Sequence, residues 1–313
     1  MVNAEYEVII VGGGPAGLAA GIGCSDWKLK TVIFEGGTWG GLLATIYPHK
    51  QISNYPGFPG GVIPLDLVKD MLSQVRDAPI IEMKNERVLD ISMDKQVKTT
   101  EGEYTGKVII LATGSRPREL GIPGERKFSR KNRGVAYYVT HPEQFVEKRV
   151  LIVGGGDTAM DAAIDLMDLA AEIIIVHRRD TFRAMDVDIE RVLSSGKVEA
   201  YFNTELHEIK GVSSVDHVIL WNNIKKQEFS LETDWVILAV GLTPNTEIFE
   251  KLGLEQDKNG CIITDRQMRT NIEGIFAIGD VDCADPKLIV VAAAEGAIAA
   301  KNAYTYVKRP YWA

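Results

Sequence analysis

Cysteine is scarce in this chain. Its three copies, Cys24, Cys261 and Cys283, stand far apart, in no CxxC and in no metal-ligand spacing. A disulfide framework and a zinc site are both argued against, and each cysteine is expected as a reduced, partly buried thiol. Long hydrophobic runs are missing too, since no segment approaches the ~18–20 apolar residues that cross a bilayer. The N-terminus passes through Asn3, Glu5 and Glu7 into a strand-like stretch with no basic start and no cleavage site, so a cytoplasmic chain without a membrane partner is expected. Positive charge is in deficit, 35 Lys and Arg against 43 Asp and Glu, for a formal net charge of −8. That balance favours solubility and argues against a nucleic-acid partner, while leaving room for a local basic patch.

What is present is ordinary globular composition, 45% hydrophobic and 25% charged, over 313 residues. This is enough for about two domains. One long-range echo organises the chain: Glu7–Gly17 (EVIIVGGGPAG) is answered by Arg149–Ala159 (RVLIVGGGDTA). Each opens with a continuous β-branched run, as expected of a parallel strand buried on both faces, and passes through a glycine turn into an alanine-rich helical period. Two further strand-like runs, Val108–Pro117 (VIILATGSRP) and Val236–Pro244 (VILAVGLTP), end in glycine and proline, where the chain must turn. Domain crossings are placed there. The expected fold is α/β with mixed sheets: two Rossmann-like dinucleotide-binding domains, the second (residues 116–244) inserted into a discontinuous first (1–115 and 245–313).

In the first unit, Gly12, Gly14 and Gly17 fit GxGxxG. The first glycine allows the tight turn, the second lets the backbone approach a pyrophosphate, and the third lets helix pack on strand, with the helix N-terminus facing the phosphates. Taken alone this is a weak signal. It gains from Thr31–Glu35 (TVIFE), a second strand ending in a carboxylate suited to ribose hydroxyls. Thr270–Asp280 (TNIEGIFAIGD) adds a short strand followed by Gly279-Asp280, which offers an acceptor to a ribityl chain while the next helix points its positive end onward.

The second unit repeats the turn with Gly154, Gly156 and Ala159. Its next strand, Ile173–Val176, ends not in a single acid but in His177–Arg183 (HRRDTFR). Arginine forks suit phosphate geometry, so a nucleotide with a 2′-phosphate, NADP(H), is expected over NAD(H).

GGGPAG with Glu35, the ATG of Ala112 to Gly114, and Gly279-Asp280 make the chain resemble the FAD/NAD-linked reductases. Length and domain order resemble their thioredoxin-reductase-like branch, over nearly the whole chain. The resemblance implies FAD contacts from Gly12, Gly14, Pro15, Ala16, Gly17, Glu35, Gly41, Leu42, Tyr47, Asn54, Val88, Ala112, Thr113, Gly114, Gly279, Asp280, Lys287 and Leu288. It implies NADPH contacts from Gly155, Gly156, Asp157, Thr158, His177, Arg178, Arg179, Arg183 and Gly241. A homodimer is also implied.

Thioredoxin reductases carry a CxxC at the start of the middle domain. Here Gly134–Glu143 reads GVAYYVTHPE, with Tyr138 and His141 in the two cysteine places. Dithiol exchange needs a thiolate and a resolving thiol in reach, and no two cysteines stand at a suitable spacing, so thioredoxin-reductase chemistry is expected to be closed. Neither Tyr138 nor His141 is assigned a catalytic role.

Gly40–Lys50 (GGLLATIYPHK), Tyr137–Phe145 and Lys287-Leu288 are similar instead to the thioredoxin-reductase-like ferredoxin-NADP reductases, in which the matching tyrosine, here Tyr47, stacks on the flavin. Three departures stand against that match. Leu42 replaces the group's glutamine, Asn54 resembles the thioredoxin reductase version, and the group's C-terminal flavin cover has no counterpart beyond Pro310–Ala313, which reads equally as a shortened cover or a frayed tail. The expected activity passes hydride from NADPH to flavin and then single electrons to a small acceptor such as ferredoxin, with Arg126, Lys127, Arg130, Lys131 and Arg133 as a landing patch. In the resembled scaffold this needs rotation of the middle domain, with hinges at Leu111–Arg116 and Gly241–Pro244. An NAD(P)H oxidase or diaphorase, and a non-enzymatic FAD-binding sensor, stay open.

Overall fold

Eight residues from Ala4 to Val11 form the strand around which the first sheet is built, and Val8, Ile9 and Ile10 are fully shielded from solvent. Apolar side chains on both faces of a strand require packed layers on both faces of the sheet, and Val8 and Ile10 enter one core cluster while Ile9 and Val11 enter another. Thr31–Phe34 pairs on one side and Glu103–Leu111 on the other, both parallel, with Val8 opposite Thr31 and Val108. Ile81–Lys84 extends one edge, and Ile275–Ala277 pairs in parallel with the far half of Glu103–Leu111. Val88–Ile91 and Gln96–Thr99 complete the sheet as antiparallel strands. The structure, a computed structural model, describes residues 4–46, 51–130, 133–283 and 285–312. Tyr47 and Lys131 therefore lie outside the described residues.

The chain divides into two compact units, Met1–Arg116 with Thr243–Ala313, and Pro117–Leu242. In the first, helix Pro15–Asp26 and the 20-residue helix Ile289–Lys308 pack one face of the sheet through small residues. Gly296 shows how tight this is, because a Cβ there would sit 2.6 Å from the Ala16 carbonyl oxygen. The second unit orders five parallel strands as Val198–Phe202, Glu172–His177, Arg149–Gly154, Trp235–Ala239 and Val135–Ala136. A three-stranded antiparallel sheet, Thr204–Lys210, His217–Asn222 and Gln227–Glu232, accompanies it. The architecture is the expected α/β pair of dinucleotide-binding folds. Among the described residues no helix is long and apolar enough to cross a membrane.

The cysteines depart from expectation. Cys261 and Cys283 are joined in a disulfide, their Cα atoms 5.6 Å apart. Their separation of 22 residues conceals this, because the chain runs out through Ile275–Ala277 and returns, and the Ile262 amide donates to the Val281 carbonyl at 3.0 Å. Spacing along a sequence does not report pairs made by a returning chain. Cys24 alone is a free thiol, fully buried, and burial pushes its pKa up to about 12.

Candidate nucleotide sites

In the first unit three loops leave adjacent parallel strands at the same edge: Gly12–Gly14 after Val11, Ala112–Gly114 after Leu111, and Gly279-Asp280 after Ala277. The carboxyl ends of neighbouring parallel strands are where such folds bind ligands. The glycines of the turn have separate reasons to be there. A Cβ on Gly12, held at φ +114°, would meet the Ala112 oxygen at 2.2 Å, and one on Gly17 would meet the Gly12 oxygen at 1.9 Å. Gly14 has an ordinary φ of −75°, and a Cβ there would meet nothing within 4 Å. The chain's own packing does not demand glycine at that point. The open space lies at the N-terminus of Pro15–Asp26, with Ala16 in its first turn, where free amides and the dipole favour a diphosphate, and the residues present fit that group.

Glu35 closes one side. Its two oxygens accept from the Gly13 amide at 2.8 Å and the Gly37 amide at 2.6 Å, leaving a lone pair on each for ribose hydroxyls. The Gly40 amide donates to the Gly13 carbonyl at 2.8 Å, and a Cβ on Gly41 would lie 3.3 Å from Gly14 Cα, so the segment leading into Leu42 runs beside the glycine turn. On the other side the Thr113 hydroxyl donates to the Asn245 carbonyl while the Asn245 amide donates back to the Thr113 carbonyl, both at 2.8 Å. Ser115 donates to Asp280 Oδ2 at 2.6 Å, which fixes the carboxylate expected at the ribityl chain.

Glu295, on the long C-terminal helix, accepts from the Gly279 amide at 2.5 Å and is buried. Burial pushes its pKa up to about 7, helped by the charges of Asp282 and Asp280 and opposed by the Gly279 amide. Asn245, Ser115, Glu295 and Trp39, whose ring packs over Gly13, were all missed by the sequence reading. Each reaches one of the three loops through a contact no local motif reports: Asn245 at Thr113, Ser115 at Asp280, Glu295 at Gly279 and Trp39 at Gly13.

Val88 is buried in the core beside Phe34, so only its backbone is available to a ligand. Asn54 is exposed on the loop closed by the Ile52–Val62 bridge. Lys287 is exposed, and Leu288 caps the C-terminal helix.

The second unit repeats the design. Arg149–Gly154 feeds the turn and helix Asp157–Leu166, with Thr158 in its first turn, and a Cβ on Gly156 would meet nothing within 4 Å. Gly155 is different, since a Cβ there would strike the His177 ring at 2.5 Å. The Arg183 amide donates to the Gly155 carbonyl at 2.6 Å and the Met185 amide to Asp157 Oδ1 at 3.0 Å, so the HRRDTFR loop is strapped to the glycine turn. Arg178, Arg179 and Arg183 are exposed beside it. His177 is buried, and its Nε2 has no hydrogen-bond partner among the described residues. Burial first, then Arg183, Arg179 and Arg178, hold its pKa below the usual value, so it stays neutral. An orphaned buried nitrogen under a phosphate-shaped turn ringed by arginines fits a nucleotide bearing an extra phosphate. Gly241, at φ +101°, follows the neighbouring strand Trp235–Ala239.

Where a CxxC would stand, Tyr137 donates to Glu125 at 2.9 Å, Tyr138 is half-buried, and exposed His141 lies 3.3 Å from Glu143. The C-terminal aromatic end is docked and not frayed. The Trp312 indole donates to the Thr270 carbonyl at 3.1 Å, its carbonyl accepts from Arg269 at 3.1 Å, and its ring meets Phe276 and Tyr306 edge-on. Among the described residues no cluster of His, Cys, Asp and Glu could hold a metal ion.

Comparison with known proteins agrees with this construction. The family model described as pyridine nucleotide-disulphide oxidoreductase matches residues 6–296. The chain is 36% identical to a thioredoxin reductase of Peptoclostridium acidaminophilum, with 97% of each covered. It is 37% identical to a ferredoxin–NADP reductase of Thermus thermophilus, covering 98% of this chain and 94% of that one. The crystal structure of Lactococcus lactis thioredoxin reductase superimposes with a TM-score of 0.88 at 34% identity, over 97% of this chain and 99% of the other. With two nucleotide turns, each following a parallel strand, and FAD and NADPH as its cofactors, the chain belongs to the pyridine nucleotide-disulphide oxidoreductase family, among the thioredoxin-reductase-like flavoproteins related to ferredoxin–NADP reductases.

Proposed function

We propose that this chain carries reducing equivalents from NADPH through FAD to a small one-electron acceptor, ferredoxin, without a CxxC. The observation that carries the reading is the pairing of two complete nucleotide turns with Tyr138 and His141 at the CxxC positions. Bound FAD supplies the conversion between two-electron and one-electron transfer. The protein's part is to hold and discriminate. Arg178, Arg179 and Arg183 select the 2′-phosphate, neutral His177 floors the second turn, and Gly14, Glu35 and Asp280 hold the diphosphate and sugars of FAD. Tyr137 is tied to buried Glu125, so the substituted segment has a structural anchor of its own.

An acidic iron–sulfur partner needs a basic landing site. Arg130 and Arg133 are exposed, whereas Arg126 is paired with Glu119 at 2.9 Å. In this reading the enzyme is a homodimer, which sedimentation tests. Steady-state assays with NADPH distinguish the acceptors. Ferredoxin is reduced in preference to thioredoxin-type disulfides, and R130E/R133E raises the KM for ferredoxin while flattening its salt dependence. Preference for a disulfide substrate overturns the proposal.

A further inference from the structure

The Cys261–Cys283 bond ties the loop that carries Asp280 to the earlier stretch at Cys261, and the established family chemistry assigns it nothing. Other ties join the same two stretches of chain, the Ile262 amide to the Val281 carbonyl at 3.0 Å and Thr264 to Asp282 at 3.3 Å, and the Gly279 amide donates to Glu295 of the C-terminal helix at 2.5 Å. The fold at this point therefore does not depend on the sulfurs alone. Cys283 itself sits at φ +58°, a left-handed conformation that a non-glycine residue keeps only when its surroundings hold it there. It is half-buried, whereas Cys261 is buried, so an incoming thiolate reaches Cys283 first. The exposed Lys287 ammonium lies 3.8 Å from Cys283 Sγ, a position that stabilises a thiolate there.

We propose that Cys261–Cys283 is a thiol–disulfide exchange site whose reduction loosens the Asp280 loop and with it the hold on FAD. The reductant is a dithiol. One of its thiolates attacks Cys283 Sγ, the Cys261–Cys283 bond breaks, and Cys261 leaves and takes a proton. The second thiolate of the reductant then attacks the sulfur bonded to Cys283, closing a disulfide in the reductant and releasing Cys283 beside Lys287. Two electrons and two protons pass to the protein, and the reductant is oxidised by the same amount. Without the cross-link Cys283 is free to leave its left-handed conformation. The segment from Gly279 to Cys283 then rests on hydrogen bonds such as Ile262 to Val281, Thr264 to Asp282, Gly279 to Glu295 and Ser115 to Asp280.

The inference rests on Asp280 facing FAD, and its test separates the two claims. The holoprotein is treated with dithiothreitol, intact mass and thiol count are read, and FAD release is followed by the rise in free flavin fluorescence. The untreated chain shows one thiol after unfolding, that of Cys24, and the treated chain three. Reduction raises FAD release about tenfold, because local opening of the uncrosslinked loop becomes easier. C261S/C283S releases FAD at the fast rate with or without dithiothreitol, and K287M slows the appearance of the two new thiols. Three thiols in the untreated protein overturn the proposal. A gain of two hydrogens with unchanged FAD release overturns the coupling alone, and a chain that is reduced normally but holds no FAD in either state overturns the Asp280 reading together with the coupling.

Discussion

Tyr137 donates its hydroxyl to Glu125 across 2.9 Å, and Glu125 is 1% exposed. The same carboxylate accepts from the amides of Leu120 at 3.2 Å and Gly121 at 2.7 Å. One buried acid therefore joins the entry loop of the second unit to the segment standing where a CxxC would be. Burial and the Glu125 charge both hold the Tyr137 hydroxyl above its usual pKa, so it remains a donor.

Removing the acid orphans all three donors. Glu125→Ala is expected to cost about 2–3 kcal/mol and Tyr137→Phe about 1 kcal/mol, because the acid serves half-buried Tyr137 together with the amides of exposed Leu120 and Gly121, which water can reach. Urea midpoints check both, and equal effects of the two substitutions would contradict the shared-acceptor account.

Gly14 and Gly17 separate binding from folding. Gly14→Ala adds a methyl group to open space, so thermal stability changes by less than about 1 kcal/mol, while FAD retention falls about tenfold or more where the diphosphate would sit. Gly17→Ala drives its Cβ into the Gly12 carbonyl and destabilises the fold by about 2–4 kcal/mol. The ratio of flavin to protein absorbance, read with a melting curve, tells these apart.

The arginines beside the second turn predict a split in nucleotide constants. Arg178→Ala with Arg179→Ala raises the KM for NADPH by about tenfold or more, the loss expected from charge-assisted hydrogen bonds, and leaves that for NADH within about twofold. Parallel changes in the two constants would remove the 2′-phosphate assignment.

Glu295 predicts a pH dependence. Its folded pKa of about 7 lies above the ordinary glutamate value of 4.5, so the folded chain binds the proton more tightly than the unfolded one. Its contribution to stability is fully present below the unfolded value, is lost as pH rises toward the folded value, and is flat above it. Glu295→Gln keeps an acceptor for the Gly279 amide without the titration. Relative to the parent, the variant gains up to about 2–3 kcal/mol between pH 4.5 and 7 and nothing further above that range. Thermal melts at half-unit steps of pH check the shape, and a constant difference would contradict it.

The parts of the molecule legible in the sequence are those coded by contiguous residues. The two glycine turns, the strands feeding them and HRRDTFR all follow from local pattern, because a parallel strand, a phosphate turn and a helix start occupy one short stretch. Asn245, which locks Thr113, and Glu295, which holds Gly279, act across 132 and 16 residues, and nothing in their neighbours marks them. The disulfide was hidden for the same reason. Cysteine spacing is informative for tight local loops, and here the pair closes only after the chain has crossed the sheet edge and returned.

The most direct test of the central claim is anaerobic stopped-flow on the holoprotein. NADPH is mixed first to bleach the flavin, and the bleached enzyme is then mixed with ferredoxin, oxygen or a thioredoxin-type disulfide. The account predicts rapid bleaching by NADPH and reoxidation fastest with ferredoxin. Reoxidation fastest with the disulfide, or a flavin that NADPH does not bleach, would contradict it.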